Sequence, residues 1–217
     1  MNAGSIRPGF QYTDVRHQSD SSLSGMWLFL ASECLFFGVL FLAWIYARHF
    51  RPVGFDHGAQ LTSLTLGTVN SVILITSGLI YAAGIAFMER GQVQRLLLCC
   101  RCAMLLGAVF LALKFGLEWP RDFAQHYFPG PHFGITGPER EGAMLFYTFY
   151  FVATALHGVH MLVGLALVEW VVWRARRGDF SARYLTPVTA VGLYWAFVDV
   201  VWIVLYPLIY LVGRGET

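Results

Sequence analysis

The sequence predicts an all-α integral membrane protein, a bundle of five transmembrane helices. Of its 217 residues, 57% are hydrophobic and 13% are charged, whereas soluble domains carry roughly 25% charged residues. So little polar surface cannot cover the core of a soluble fold of this length, and so apolar a chain does not stay disordered. The apolar residues form five long stretches without the period-two alternation of a membrane barrel. The net charge of +2 is too small to indicate a nucleic-acid partner.

Each apolar stretch is long enough to cross about 30 Å of hydrocarbon as a helix, at roughly 1.5 Å per residue. The predicted spans are residues 25–47, 62–88, 96–117, 144–173 and 185–212. The segments between them contain glycine, proline and polar residues, as expected of loops; they are residues 49–61, 89–95, 119–143 and 174–184. Residues 1–24 are predicted to be a polar cytoplasmic segment, and residues 25–217 to be the transmembrane domain.

The basic residues near the ends of the spans predict the orientation, because they are more frequent on the cytoplasmic side. With the N-terminus inside and the C-terminus outside, the inner set is Arg7, Arg16, Arg90, Arg95, Arg101, Arg174, Arg176, Arg177 and Arg183. The outer set is smaller and consists of Arg48, Arg51, Lys114, Arg121, Arg140 and Arg214. We therefore expect an inside N-terminus.

Three acids fall within the spans, where a charged side chain costs about 2.5–3.5 kcal/mol at mid-bilayer. Glu169 lies close to the inner arginines and can pair with them. Glu33 lies roughly 12 Å from the inner end of the first span, too deep to reach the headgroups, and Asp199 lies near the middle of the fifth span. Either acid can be a buried group that hydrogen-bonds a neighbouring helix or a member of a proton relay.

Helical spacing places the other polar residues on shared faces. In the fourth span, His157 and His160 share a face with Tyr150, Ala153 and Gly164. In the fifth span one face carries Trp195, Asp199, Trp202 and Tyr206. A hydrogen bond between these two faces is geometrically possible. Gly158 and Gly164 permit close helix approach.

The chain offers no complete ligand set for a metal or a haem. A membrane haem usually takes axial ligands from more than one helix, whereas the intramembrane histidines, His157 and His160, share one helix. A His-x-x-His pair needs at least one further ligand from elsewhere. The sequence therefore predicts no metal site, no cofactor in this chain and no catalytic residue.

The motifs in the last two spans resemble subunit III of haem–copper oxidases. The stretch from Phe151 to His160 reads Phe-Val-Ala-Thr-Ala-Leu-His-Gly-Val-His, and the fifth span contains Tyr-Trp-Ala-Phe-Val-Asp-Val-Val-Trp, ending at Trp202. Ser32-Glu33, Asn70-Ser71 and the turn from Met88 to Gly91 also match. One departure is Ala196, where the family usually has histidine, so any hydrogen bond of that imidazole is lost or replaced.

The resemblance implies the five-helix bacterial form of the family, in the bacterial inner membrane, with haem and copper in the partner subunits I and II. Glu33 and Asp199 are then expected to be buried polar groups that support proton uptake. Interhelical polar packing is expected of His157, His160, Asn70, Trp195 and Trp202. Arg174 matches the family arginine that contacts a lipid phosphate, so bound phospholipid is expected.

The function expected from this resemblance is that of an accessory subunit of a proton-pumping cytochrome c oxidase in aerobic respiration. A subunit III of a quinol oxidase or of a nitric oxide reductase is an alternative within the family. Two alternatives come from other classes. A proton-coupled transporter would use Glu33, His157 and Asp199 as a relay, and a membrane cytochrome would bind haem itself.

Overall fold

The computed structural model describes residues 15–180 and 185–214, and this part of the chain contains helices, turns and loops but no strand. The helices are α1 (Val15–Phe50), α2 (Pro52–Gln60), α3 (Leu64–Glu89), α4 (Val93–Leu113), α5 (Trp119–Ala124), α6 (Arg140–Arg176) and α7 (Thr186–Tyr206). Two π-helical turns, Lys114–Glu118 and Pro207–Leu211, continue α4 into α5 and extend α7.

Five helical segments are long and apolar enough to cross a membrane, which confirms the predicted fold class. They are Gln18–Phe50, Leu64–Glu89, Val93–Ala124, Arg140–Arg176 and Thr186–Leu211. Residues 1–14 of the predicted polar segment lie outside the described residues, and helix α1 already begins at Val15. The assignment of the N-terminus to the inside stays a prediction.

Helices α6 and α7 form the centre of the bundle: α7 packs against α1, α3 and α6, and α6 packs against α1, α4 and α7. Helix α1 is peripheral: 17% of its most apolar window is buried in the chain, against 50% for Thr186–Leu211. The end at which α7 finishes, where α2 packs against α6, is called here the C-terminal end of the bundle. The short α2 lies there between α1 and α3.

The third span is longer than predicted, and the predicted loop 119–143 is correspondingly shorter. Proline lacks an amide donor and normally ends a helix, so the sequence predicts an end at residue 117. Instead the wider π-turn Lys114–Glu118 leads directly into α5, with Pro120 in its first turn. Lys114, counted among the outer basic residues, lies in this π-turn, and its side chain is only 1% exposed.

Gly164 makes room for an aromatic side chain of a neighbouring helix. The Trp195 ring of α7 lies between Gly164 of α6 and Gly107 of α4. A Cβ added at Gly164 would be 3.1 Å from the Trp195 ring, and one at Gly107 would be 3.0 Å from it. These two glycines therefore allow the largest side chain type to enter the middle of the bundle.

Candidate functional site

Glu33 of α1 and His160 of α6 form a polar contact between two helices. His160 Nε2 lies 3.1 Å from Glu33 Oε2, and His160 Nδ1 lies 2.8 Å from the carbonyl oxygen of Leu156. The side chains are 17% and 20% exposed, respectively. Helix periodicity places both residues at mid-span, but the sequence does not show that α1 and α6 are neighbours at this depth.

The geometry limits where protons can be in this pair. A carbonyl oxygen only accepts hydrogen bonds, so the Nδ1 atom of His160 carries a hydrogen. A neutral imidazole then has a bare Nε2, which accepts a hydrogen bond from a protonated Glu33. If the imidazole is charged, Nε2 donates to an ionised Glu33. In both states one proton lies between the two side chains, and the pair can exchange it internally.

Two neighbours fix the His160 side of the contact. The hydroxyl of Tyr194 on α7 donates to the backbone carbonyl of His160 at 3.0 Å. The Phe37 ring of α1 packs edge-on against the imidazole, with 5.1 Å between ring centroids. The pair is therefore held by α1, α6 and α7 together, at the boundary between the bundle and its surroundings.

His157, one turn before His160, has a different environment. Its ring lies between Phe110 of α4 and Trp202 of α7, with centroid distances of 5.5 and 5.1 Å. Neither ring nitrogen has a hydrogen-bond partner among the described residues, and the same is true of the fully buried amide of Asn70. Both residues are thus placed in interhelical packing without polar partners.

The polar atoms of Asp199 and Trp202 on α7 are directed towards α3, although the Trp202 ring also packs on His157 of α6. Trp202 Nε1 donates to Ser71 Oγ at 2.9 Å. Asp199 is 8% exposed, and a Cβ added at Gly78 of α3 would overlap its Oδ2 atom. Asp199 Oδ1 and Trp195 Nε1 have no hydrogen-bond partner in the described parts of the chain. The hydrogen bond between Asp199 and the histidines of α6, which the sequence allowed, is therefore not formed among the described residues.

Arg174 lies near the end of α6, where a basic residue also complements the helix dipole. Its Nε atom donates to Asp179 Oδ2 at 2.8 Å, and its guanidinium lies 5.2 Å from the centroid of Trp170. The side chain is 29% exposed. The sequence-based pairing of Glu169 with the arginines is not found among the described ion pairs, and Glu169 is exposed.

A cluster of buried charged and phenolic side chains, absent from the sequence-based expectations, lies towards the C-terminal end of the bundle. Lys114, Glu118 and Asp122 are each 1% exposed, and Tyr150 and Tyr210 are fully buried. We call these five residues the lysine cluster. Their spacing i, i+4, i+8 with opposite charges was a usable signal, because such residues face each other along a helix.

Hydrogen bonds saturate the lysine of this cluster. Lys114 Nζ contacts Tyr210 OH at 2.7 Å, Tyr150 OH at 3.1 Å and Glu118 Oε1 at 3.1 Å, which uses all three of its hydrogens. Tyr210 OH donates to Glu118 Oε1 at 2.6 Å, and Tyr150 OH donates to Asp122 Oδ2 at 2.8 Å. Two helices and two π-turns are thereby joined by one network.

The residues named for a transporter relay lie in separate places. Glu33, His157 and Asp199 have different surroundings, and no hydrogen bond among the described residues connects them. Among residues 15–180 and 185–214, no group of three or more histidine, cysteine, aspartate or glutamate side chains could hold a metal ion. The arrangement offers a proton-holding pair, the buried acid Asp199 and a hydrogen-bonded ion cluster.

Comparison with known proteins gives the family. The profile of the family described as cytochrome c oxidase subunit III matches residues 18–214. Cytochrome c oxidase subunit 3 of Thermostichus vulcanus is 30% identical over 90% of this chain and 89% of its own length. Heme-copper oxidase subunit I+III of Aeropyrum pernix is 30% identical over 89% of this chain, which spans 23% of that longer protein.

A quinol oxidase subunit is also similar. Quinol oxidase subunit 3 of Bacillus spizizenii is 23% identical over 93% of both chains. The matched region includes every membrane-spanning helix of the fold described above. The chain therefore belongs to the family of cytochrome c oxidase subunit III, the third subunit of the haem–copper oxidases.

Proposed function

We propose that the chain is the cofactor-free accessory subunit of a proton-pumping, oxygen-reducing oxidase in a bacterial inner membrane. Family membership supports a place in an oxidase complex. The joined name of the Aeropyrum relative, subunit I+III, supports subunit I as the neighbour in the membrane. Haem and copper then belong to subunits I and II. The identities of 30% and 23% with the relatives named for cytochrome c and for quinol favour cytochrome c as the electron donor.

The observation that carries the functional role of this chain is the Glu33–His160 contact. Because Nδ1–H of His160 donates to the Leu156 carbonyl, the contact holds one shared proton, which lies either on Glu33 or on Nε2 of His160. Partial exposure of both side chains makes the pair reachable from outside the bundle. We infer that it stores a proton beside the catalytic subunit and supplies it to proton uptake, without taking part in oxygen chemistry.

Arg174 supports a second accessory role, the binding of phospholipid. Its partly exposed guanidinium lies beside two aromatic rings, those of Trp170 and Phe180, at an end of a membrane-spanning helix. Aromatic and arginine side chains at such a position suit the headgroup region. Asp179 holds the guanidinium through Nε, which leaves the terminal nitrogens on the side that a phosphate would approach.

The proton-supply role is tested with Glu33→Gln in the complete oxidase. Glutamine keeps the size and can still hydrogen-bond His160, so assembly should be preserved. It cannot release a proton, so we expect slower proton uptake and a shorter catalytic lifetime. Protons pumped per electron and the number of turnovers before inactivation are measured in proteoliposomes. Glu169→Gln, an exposed glutamate on α6, is the matched control and should leave both values unchanged.

Two results would count against this role. If Glu33→Gln pumps and survives like the natural protein, the pair has no function in proton supply. If Glu33→Gln reduces the amount of this chain in the complex, the contact serves assembly instead.

A further inference from the structure

A cleft between α3 and α7 opens on the surface of the bundle. Its volume is about 280 Å³. The lining includes four small residues, Gly78, Ala82, Gly192 and Ala196. Its rims carry exposed aliphatic side chains, among them Leu79 and Ile203. In shape and composition this is a groove of the kind that receives a ridge of side chains from another helix.

The cleft also contains an unsatisfied polar group. Asp199 lines it, is 8% exposed, and has no hydrogen-bond partner for Oδ1 among the described residues. The indole nitrogen of Trp195, one turn earlier and also part of the lining, has no partner in the same part of the chain. Within hydrocarbon, an unsatisfied polar group costs several kcal/mol. The cleft therefore has both unfilled volume and polar atoms without hydrogen-bond partners among the described residues.

We propose that this cleft docks a transmembrane helix of the haem-bearing catalytic subunit. In this contact Asp199 hydrogen-bonds a hydroxyl, amide or imidazole side chain of that helix. The inference rests on the proposed function, which supplies the partner, and adds the surface at which it binds. Small residues on α3 and α7 allow the two backbones to approach the docked helix closely.

Other occupants fit less well. A lipid acyl chain fills the volume but has no group to hydrogen-bond Asp199. A second copy of this chain would place a groove against a groove and one buried acid against another. A helix from another subunit with a single polar side chain satisfies both requirements at once, since its ridge fills the groove and its polar atom reaches the carboxyl.

The first experiment fills the groove. Ala82→Trp adds bulk inside the cleft, whereas Ala83→Trp adds the same bulk one residue along α3, on an exposed position outside the lining. The oxidase is purified through a tag on the haem-bearing subunit, and the amount of this chain per haem is measured. We expect about a tenfold loss for Ala82→Trp and less than about a twofold change for Ala83→Trp, a difference of roughly 1 kcal/mol or more in binding. Equal retention of both variants would overturn the proposal.

The second experiment tests the polar anchor. Asp199→Asn can still hydrogen-bond a partner, while Asp199→Leu cannot. We expect Asp199→Asn to remain in the complex and Asp199→Leu to be released, with the total amount of each variant in the membrane as the control for folding. Retention of a well-folded Asp199→Leu would refute the role of the carboxyl.

Photo-crosslinking identifies the occupant directly. A photoreactive residue replaces Leu79 at the cleft rim or, as control, Leu105 on the exposed side of α4, in the assembled oxidase. A covalent adduct with the haem-bearing subunit from position 79, and none from position 105, supports the proposal. Adducts with a second copy, with lipid alone, or with the catalytic subunit only from position 105 contradict it. If the unmodified chain purifies without haem-bearing partners, the proposed function fails instead.

Discussion

Glu118 and Asp199 are two buried acids in one bundle, and their surroundings differ in one respect that matters. Glu118 Oε1 receives hydrogen bonds from Lys114 and Tyr210 in the lysine cluster. Asp199 lies on small residues at the edge of a cleft, and its Oδ1 has no partner among the described residues. Burial is similar, so burial alone does not separate them. The hydrogen bonds do: Glu118 Oε1 is held inside the fold, although Glu118 Oε2 has no partner among the described residues, whereas Asp199 Oδ1 lies at a cleft that a partner can enter.

The largest expected effect is that of Lys114→Met. Removal of the cation leaves the buried Glu118 without its positive partner, while Asp122 keeps only its ion pair with Arg121. Breaking a buried ion pair in this way typically costs about 3–5 kcal/mol. We expect the full chain in detergent to lose this much unfolding free energy, measured by denaturant titration. The double variant Lys114→Met/Glu118→Leu should recover part of the loss. A stable Lys114→Met single variant would show that the cluster does not hold the fold.

A matched pair of neutralising substitutions sharpens the comparison. Glu118→Gln weakens the hydrogen bonds from Lys114 and Tyr210, and hydrogen bonds to charged groups contribute about 1.5–3 kcal/mol. Asp199→Asn removes no ion pair in the described structure, so its cost in the isolated full chain should stay below about 1 kcal/mol. Both are measured by the same denaturant titration. If the two losses are equal, the difference in hydrogen bonding has no energetic consequence and the comparison fails.

The smallest effect is expected where the charges are exposed. Arg51 Nη2 lies 2.7 Å from Glu141 Oε2, with side chains 58% and 65% exposed. Exposed ion pairs contribute about 0–1 kcal/mol and are screened by salt. Arg51→Ala should therefore shift the unfolding free energy by less than about 1 kcal/mol. A larger shift that persists at high salt would assign Arg51 a role beyond this pair.

Much of the fold follows from hydropathy, because lipid accepts only segments that satisfy their own backbone. The five spans and the shared face of His157 and His160 could be predicted from the sequence for this reason. The end of the third span could not, since Pro120 is read as a helix stop and the π-turn that accommodates it has no sequence signature. The burial of Lys114, which lies in that turn, was not predicted for the same reason.

The contacts between side chains on different helices could not be predicted from the sequence, for another reason. Periodicity fixes which residues share a face, but not which helix that face meets. Asp199 thus turned out to face Gly78 of α3 instead of the histidines of α6. Glu33 contacts His160 because α1 packs beside α6. The sequence alone does not show that these two helices are neighbours.

The lysine cluster also constrains how the chain enters the membrane. During synthesis the third segment, with Lys114, Glu118 and Asp122, leaves the ribosome first. Tyr150 and Tyr210 follow later. Until then Lys114 lacks its two phenolic partners, and the third segment carries charged groups that a bilayer disfavours. We therefore expect the final burial of this cluster to wait for the last helix. A nascent chain truncated before Tyr210 should leave this segment accessible to water-soluble labelling reagents.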